Sequence, residues 1–275
     1  MTQTGWQRFR RSPLATAAVA YVAILTLIAA AAPLLAPYAP NAVDLASHLQ
    51  PPNARHLFGT DDLGRDVLAR MIHGSRVSLL VGYSATALSL LIGAALGALA
   101  GYYGGIADWL VSRLVEVVLC FPFLFLVLGI VALFKPSLYS ILIALALTSW
   151  TTEARFVRAE FLRIRDLDYA QAARASGAGD GRIIFRHLLP NALAPVVVSA
   201  SFGVASAILT ESALSFLGFG VALPTASWGS ILAVAQEYVG FAWWLVAFPG
   251  VAIFLTVASF NVIGDRLRDV MDPRE

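Results

Sequence analysis

The sequence predicts an all-α membrane protein with six transmembrane helices. Three observations carry this. Mean hydropathy over the 275 residues is +0.75, and only 13% of residues are charged, about half the ~25% of an average soluble domain. Apolar runs close to the ~20 residues needed to cross hydrocarbon recur along the chain. Lys and Arg are unevenly divided between the segments that separate those runs. A helix is the element expected in each run, because it satisfies its own backbone hydrogen bonds where no water can.

Residues 14–37 carry no charge, and neither do residues 77–101. Residues 114–134 hold Glu116 near one end and Pro122 within. Residues 137–152 are short for a span and lengthen only if Phe156 and Val157 join them. Residues 191–212 hold Glu211 near an end, with Pro195 inside and Pro190 just before. Residues 243–263 form the last run. Arg8, Arg10 and Arg11 ahead of the first run resemble the start of a secretory signal. The run is too long for one, since such a core has ~7–15 residues, so it is read as a retained first helix.

With the N-terminus inside, the outer segments hold Arg55, Arg65, Arg70, Arg76 and Lys135, and the other 14 of the 19 basic residues face the cytoplasm. Seven are Arg residues within 153–190, and Arg113, Arg266, Arg268 and Arg274 are also inside. This bias puts both termini in the cytoplasm. Residues 213–242 have no Lys or Arg but are broken by Gly218, Gly220, Pro224 and Gly229. They read as an outer loop dipping against the membrane face and not as a seventh span. The single cysteine, Cys120, excludes an internal disulfide and a cysteine zinc site. Its apolar setting predicts an inert buried thiol.

The cytoplasmic segment 153–190 has a helical apolar period through Phe161, Leu162 and Ile164, then "AQAARAS" ending at Gly177, then "RIIFRHLLP" leading into the fifth run. It predicts helix, glycine turn, helix across the ends of spans four and five. Ala172, Ala173 and Gly177 let another backbone come close, and the flanking Arg residues suit an anionic lipid surface or an acidic partner.

These residues resemble the EAA signature of permease subunits of ATP-binding-cassette (ABC) importers. Gln171, Ala172 and Ala173 stand at its Glu-Ala-Ala, Gly177 at its glycine, and Leu189 and Pro190 at its Leu-Pro. Gln171 replaces the acidic residue, which removes any ionic contact made there. His187 in "HLLPN" is similar to the peptide-permease branch. "HLFGTDDLGRDVLARMIHGSRVSLLVG" at 56–82, "ESALSFLGFGVALPTASWG" at 211–229 and "NVIGDRLRDVMDPR" at 261–274 resemble the dipeptide, oligopeptide and nickel permeases in the same order.

The resemblance implies the type I ABC importer permease fold. It divides the chain at 1–76, a cytoplasmic tail, first helix and outer segment, and 77–275, a five-helix core with its coupling loop at 153–190. It implies a second permease subunit, two ATPase subunits beneath, an extracytoplasmic substrate-binding protein, and a place in a bacterial-type inner membrane, in contact with lipid and not nucleic acid. ATP and Mg would be bound by the partners and no cofactor by this chain, which has no phosphate-cradling Gly-x-x-x-x-Gly-Lys-Ser/Thr loop. It is then no enzyme itself. The coupling residues would be Gln171, Ala172, Ala173, Arg174, Gly177, His187, Leu189 and Pro190, with Arg186 less central.

In the outer segment Asp61, Asp62 and Asp66 face Arg65, Arg70 and Arg76, with Gly64 in the "GTDDLGRD" core. This collar either holds the binding protein or neutralises itself, and the second is favoured. Glu116 and Glu211 are the acids within the expected spans, both near ends, where capping explains them as well as function does. His48, His56, His73 and His187 have no metal-ligand spacing. Trp109, Trp150, Trp228, Trp243 and Trp244 fall near span ends, as an interfacial belt does. Three alternatives to peptide import stay open. Uptake of nickel or another small solute shares the motifs. A secondary transporter or channel predicts central ion-coupling acids. A membrane anchor would need the loop without a path.

Overall fold

The computed structural model describes residues 12–222 and 224–271, with the side chains of residues 193 and 194 left aside. Arg8, Arg10, Arg11 and Arg274 of the charge count lie outside the described residues. Chain order is α1 Pro13–Ala30, α2 Ala32–Leu35, a 3-10 turn Leu45–Ser47, α3 Val67–Tyr103, α4 Gly105–Leu119, α5 Phe123–Phe134 and α6 Leu138–Ile164. Then come α7 Asp168–Ala175, α8 Asp180–Arg182, a π-helical stretch Ile183–Leu188, α9 Leu189–Phe216, α10 Trp228–Ala235, a 3-10 turn Gln236–Tyr238 and α11 Trp244–Met271. The described residues form no β-strand.

Among the described residues, four helices are long and apolar enough to cross a membrane: α1, α3, α9 from Pro195, and α11. The expected third span is not one straight helix. α4 and α5 meet at 89°, with the break at residues 120–122. Pro122 has no N–H for the preceding turn and disfavours helical backbone at Phe121, so the helix turns a corner there. Cys120 sits at this corner and is exposed on the chain, which corrects the expectation of a buried thiol. The fourth run is carried by α6. It continues as helix past its apolar first half through Glu153, Arg155, Arg158, Glu160 and Arg163, and this polar second half keeps it below a span's hydropathy. Residues 213–242 hold no seventh span. Their longest helix, α10, has 8 residues. It is tucked against α3, α9 and α11 with Trp228 and Ile231 buried.

α3 is the organising helix. It touches α1, α4, α6, α9 and α10, and its most extensive packing is against α6. A row of glycines, Gly93, Gly97 and Gly101, faces α6 at one-turn spacing. A Cβ on Gly93 would lie 2.5 Å from Glu153 Cβ, one on Gly97 2.5 Å from the Ala154 carbonyl oxygen, and one on Gly101 2.5 Å from Phe161 Cβ. Small residues let two backbones approach in lipid, where packing and not water exclusion joins helices. One apolar core joins α1, α3, α10 and α11 through Ala29, Val67, Met71, Trp228 and Leu245. Another, at the opposite end of α3, joins Tyr102, Phe161, Ala170, Ile183 and Leu188.

Candidate functional site

The second core seats the polar insert. Ala170, Ile183, Ile184 and Leu188 are buried against Tyr102, Val157, Phe161 and Ile164, so α7 and the π stretch rest on the ends of α3 and α6 before α9 begins. α7 ends in a Schellman turn. The Ala178 N–H donates to the Ala173 carbonyl at 3.1 Å and the Gly177 N–H to the Arg174 carbonyl at 2.9 Å. Gly177 has φ +79, the left-handed backbone that glycine adopts without strain. Side chains tie the insert to α3. The Tyr102 hydroxyl donates to Asp180 Oδ1 at 2.7 Å, and the Arg174 guanidinium lies 5.4 Å from the Tyr102 ring centre. Arg165 Nη1 donates to the Gly101 carbonyl at 2.9 Å, in the last turn of α3. Arg158 pairs with Asp108, linking α6 to α4.

Gln171, Ala172, Arg174 and Gly177 are exposed on one surface, while Ala173 is half-buried against the core. The Gln171 side chain donates to the Asp166 carbonyl at 2.8 Å. His187 and Leu189 are half-buried and Pro190 exposed. They lie at the junction with α9, not on the exposed surface of α7. The stretch after the turn is a π-helix and not the expected α-helix. The Leu189 N–H reaches back five residues to the Ile184 carbonyl, and Pro190 next in line has no N–H to hold the tighter ladder.

Residues 41–66 form a folded cap in which Asp61, Asp62 and Asp66 are paired with Arg65, Arg70 and His56, while Arg76 of the expected collar is exposed and outside these pairs. Asp61 Oδ2 meets Arg65 Nε at 2.7 Å and Arg70 Nε at 3.3 Å, and all three side chains are buried. Asp66 caps α3, accepting the Ala69 N–H at 2.7 Å through Oδ1, and its Oδ2 lies 2.9 Å from His56 Nδ1. Gly64 has φ +71, and a Cβ there would fall 1.8 Å from the Asp44 carbonyl oxygen. Trp244 Nε1 donates to the Thr60 carbonyl at 3.0 Å, fixing the cap to the start of α11.

Between these two ends lies a half-open cavity of about 350 Å³, lined by α3, the α4–α5 corner, α6 and α9. Thr86, Ser89, Thr148, Thr151 and Ser199 line it with hydroxyls, and Phe121, Phe123 and Phe202 close its sides. Glu153 is its ionisable residue. The charge pattern puts Glu153 in the cytoplasmic segment 153–190, but in the structure it lies inside α6, 5% exposed. The cluster "TSWTTE" at the end of an apolar run was the available signal. The two acids singled out earlier behave differently. Glu116 is exposed and paired with Arg113. Glu211 is fully buried and accepts hydrogen bonds from Ser78 at 3.3 Å and Ser215 at 2.8 Å, while Ser78 Oγ accepts the Trp228 N–H. Glu211 therefore pins α10 between α3 and α9.

Residues 93–275 match the family described as the binding-protein-dependent transport system inner membrane component. The chain belongs to this family. Residues 1–52 of the permease further match the N-terminal transmembrane domain of oligopeptide transport permease C. It is 42% identical over 269 residues to the dipeptide transport system permease protein DppC of Alkalihalophilus pseudofirmus, covering 98% of this chain and 88% of that one. It is 46% identical over 255 residues to a putative peptide transport system permease protein of Brucella suis, covering 91% and 86%. The probable D,D-dipeptide transport system permease protein of Escherichia coli is 40% identical over 263 residues, covering 96% and 88%. Among solved structures, an inward-facing form of the MetNI methionine ABC transporter superposes with TM-score 0.60 at 21% identity, over 75% of this chain and 98% of that one. This last likeness is one of fold.

Proposed function

We propose that this permease is one of two membrane subunits of an ATP-driven importer of di- or oligopeptides. In this reading α1, α3, the α4–α5 pair, α6, α9 and α11 are its six spans, and both termini face the cytoplasm of a bacterial-type inner membrane. A second permease subunit completes the path. Two ATPase subunits bind ATP and Mg below, and a binding protein delivers peptide above.

The observation that carries the coupling role is the mounting of α7. Its exposed surface runs through Gln171 and Ala172 to Gly177, and the alanine and glycine leave room for a partner groove. Its other side is locked to α3 and α6 by Ala170, Tyr102 and Arg174. A push on α7 is then delivered to the two most extensively packed helices. Closure of the ATPase pair would bias the spans between inward-open and outward-open states, a two-state element driven by a remote ligand.

The test is co-purification in mild detergent from cells expressing the whole importer, comparing Gly177→Arg with Gly181→Arg at equal expression. Both positions have open space for a side chain, but only Gly177 has positive φ. The ATPase should be lost from the Gly177 variant and kept by the Gly181 variant. Retention in both would end the coupling assignment. Reconstituted wild-type complex should take up dipeptide only with ATP.

A further inference from the structure

The cavity holds a buried acid with unused bonding capacity. Glu153 Oε1 accepts from Ser199 Oγ at 2.6 Å, but Oε2 is buried without a partner, and so is Thr86 Oγ1 on the facing wall. No Arg, Lys or His lines the cavity, so the chain supplies no counter-charge there. A carboxyl in such a place is costly unless something pairs with it, and an ionisable group within a span points to a substrate path. Nor is Glu153 placed by accident of a loose fit. Gly93 gives α6 room at that residue, with Glu153 Cβ in the space a Cβ would take. The surrounding chemistry is oxygen from hydroxyls and one carboxyl, without imidazole or thiol. That set suits an ammonium with N–H donors and amide groups better than a transition metal. About 350 Å³ lies within the range of ~300–1,000 Å³ typical of small-ligand pockets.

We propose that Glu153 is the counter-charge for the amino-terminal ammonium of the peptide as it passes this permease. The hydroxyl row of Thr86, Ser89, Thr148 and Ser199 meets the peptide's backbone amide and carbonyl groups. Side-chain identity is then read little here, since the recognised groups are common to all peptides with a free amino end. The proposal rests on the peptide-import reading above.

Its test uses the complete importer in proteoliposomes and a free-amine dipeptide, Ala-Phe, beside its N-acetyl form, with the binding protein saturated by each. Carbodiimide modification of Glu153, located by mass spectrometry, is read in parallel. Free Ala-Phe should protect Glu153 from modification and N-acetyl-Ala-Phe should not. Glu153→Gln should cut uptake of free Ala-Phe at least tenfold while both ATPase subunits and the second permease still co-purify. Glu153→Asp should restore part of it, and it serves if the Gln variant fails to assemble. Three results would overturn the proposal. Glu153 is never modified in the complex because the second subunit seals it. Both peptides protect it equally. Or Glu153→Gln imports free Ala-Phe at the wild-type rate. If instead the wild-type complex imports no peptide at all, the peptide reading itself fails, a separate outcome.

Discussion

Three buried tryptophans show what composition conceals. Trp150, Trp228 and Trp244 read as parts of an interfacial belt, yet all are buried, and each indole N–H donates to a carbonyl: Leu147, Met71 and Thr60. Of the five belt candidates, Trp109 and Trp243 are exposed. A sequence gives a tryptophan's distance from a span end but not which way the ring turns. Glycines carry a similar lesson. "GAALGALAG" is visible in the sequence, but that it faces α6 follows only from the packing. Gly97→Val should overpack this contact, at a cost of about 1–3 kcal/mol. Thermal unfolding in detergent should show a lower Tm than wild type, while Gly129→Ala, at a glycine with open space around it, should leave Tm unchanged.

Helix breaks and caps set where the functional groups stand. Pro122 was legible as an interruption, but the angle it produces depends on how α4 and α5 pack, with Arg158 holding α4 through Asp108. The insert was legible in outline because small residues, a glycine and an apolar period lie close together. Its π stretch was not, because a one-residue change of ladder leaves no mark in composition. Glu153 was missed because hydropathy ended the fourth span at residue 152, one residue before the helix turned its carboxyl into the cavity. Tyr102→Phe removes the hydroxyl that Asp180 accepts and should loosen the insert without unfolding the spans. Hydrogen exchange should then rise over residues 168–188 and remain as in wild type over α10. In the cap, Asp61→Asn takes from buried Arg65 and Arg70 the carboxylate they share, leaving Arg65 only the more exposed Asp62. Breaking such a pair costs about 3–5 kcal/mol, so protease cleavage within residues 41–66 should speed up, with little relief from added salt because the pair is buried.

The assembled chain has two folded ends joined by α3. The cap of residues 41–66 closes on the starts of α3 and α11, and the polar insert closes on the end of α3 and the start of α9. The six-span path proposed above puts these ends on opposite sides of the membrane. With Cys120 replaced by Ser, Asn53→Cys should react with a membrane-impermeant maleimide added outside intact cells. Gly181→Cys should react only after the cells are opened. Reversal of that pattern would overturn the orientation drawn from Lys and Arg placement. Large apolar side chains exposed along α1, α5 and α11, such as Leu27, Phe125 and Phe254, are area for lipid and, in the import reading proposed above, for the second subunit. The cap's self-neutralisation was legible from acids and bases set a few residues apart, though not the burial of Asp61, Arg65 and Arg70. The lining of the cavity by four separate stretches of chain was not legible, since it depends on contacts between distant residues.

The corner at Cys120 has a practical consequence. The chain has one thiol, exposed beside a wall of the cavity, where α4 gives way to α5. A spin label or fluorophore can therefore be attached there to the unmodified protein, with no other cysteine of this subunit to compete. Its signal during turnover would report directly whether the bend stays rigid or opens and closes with each cycle.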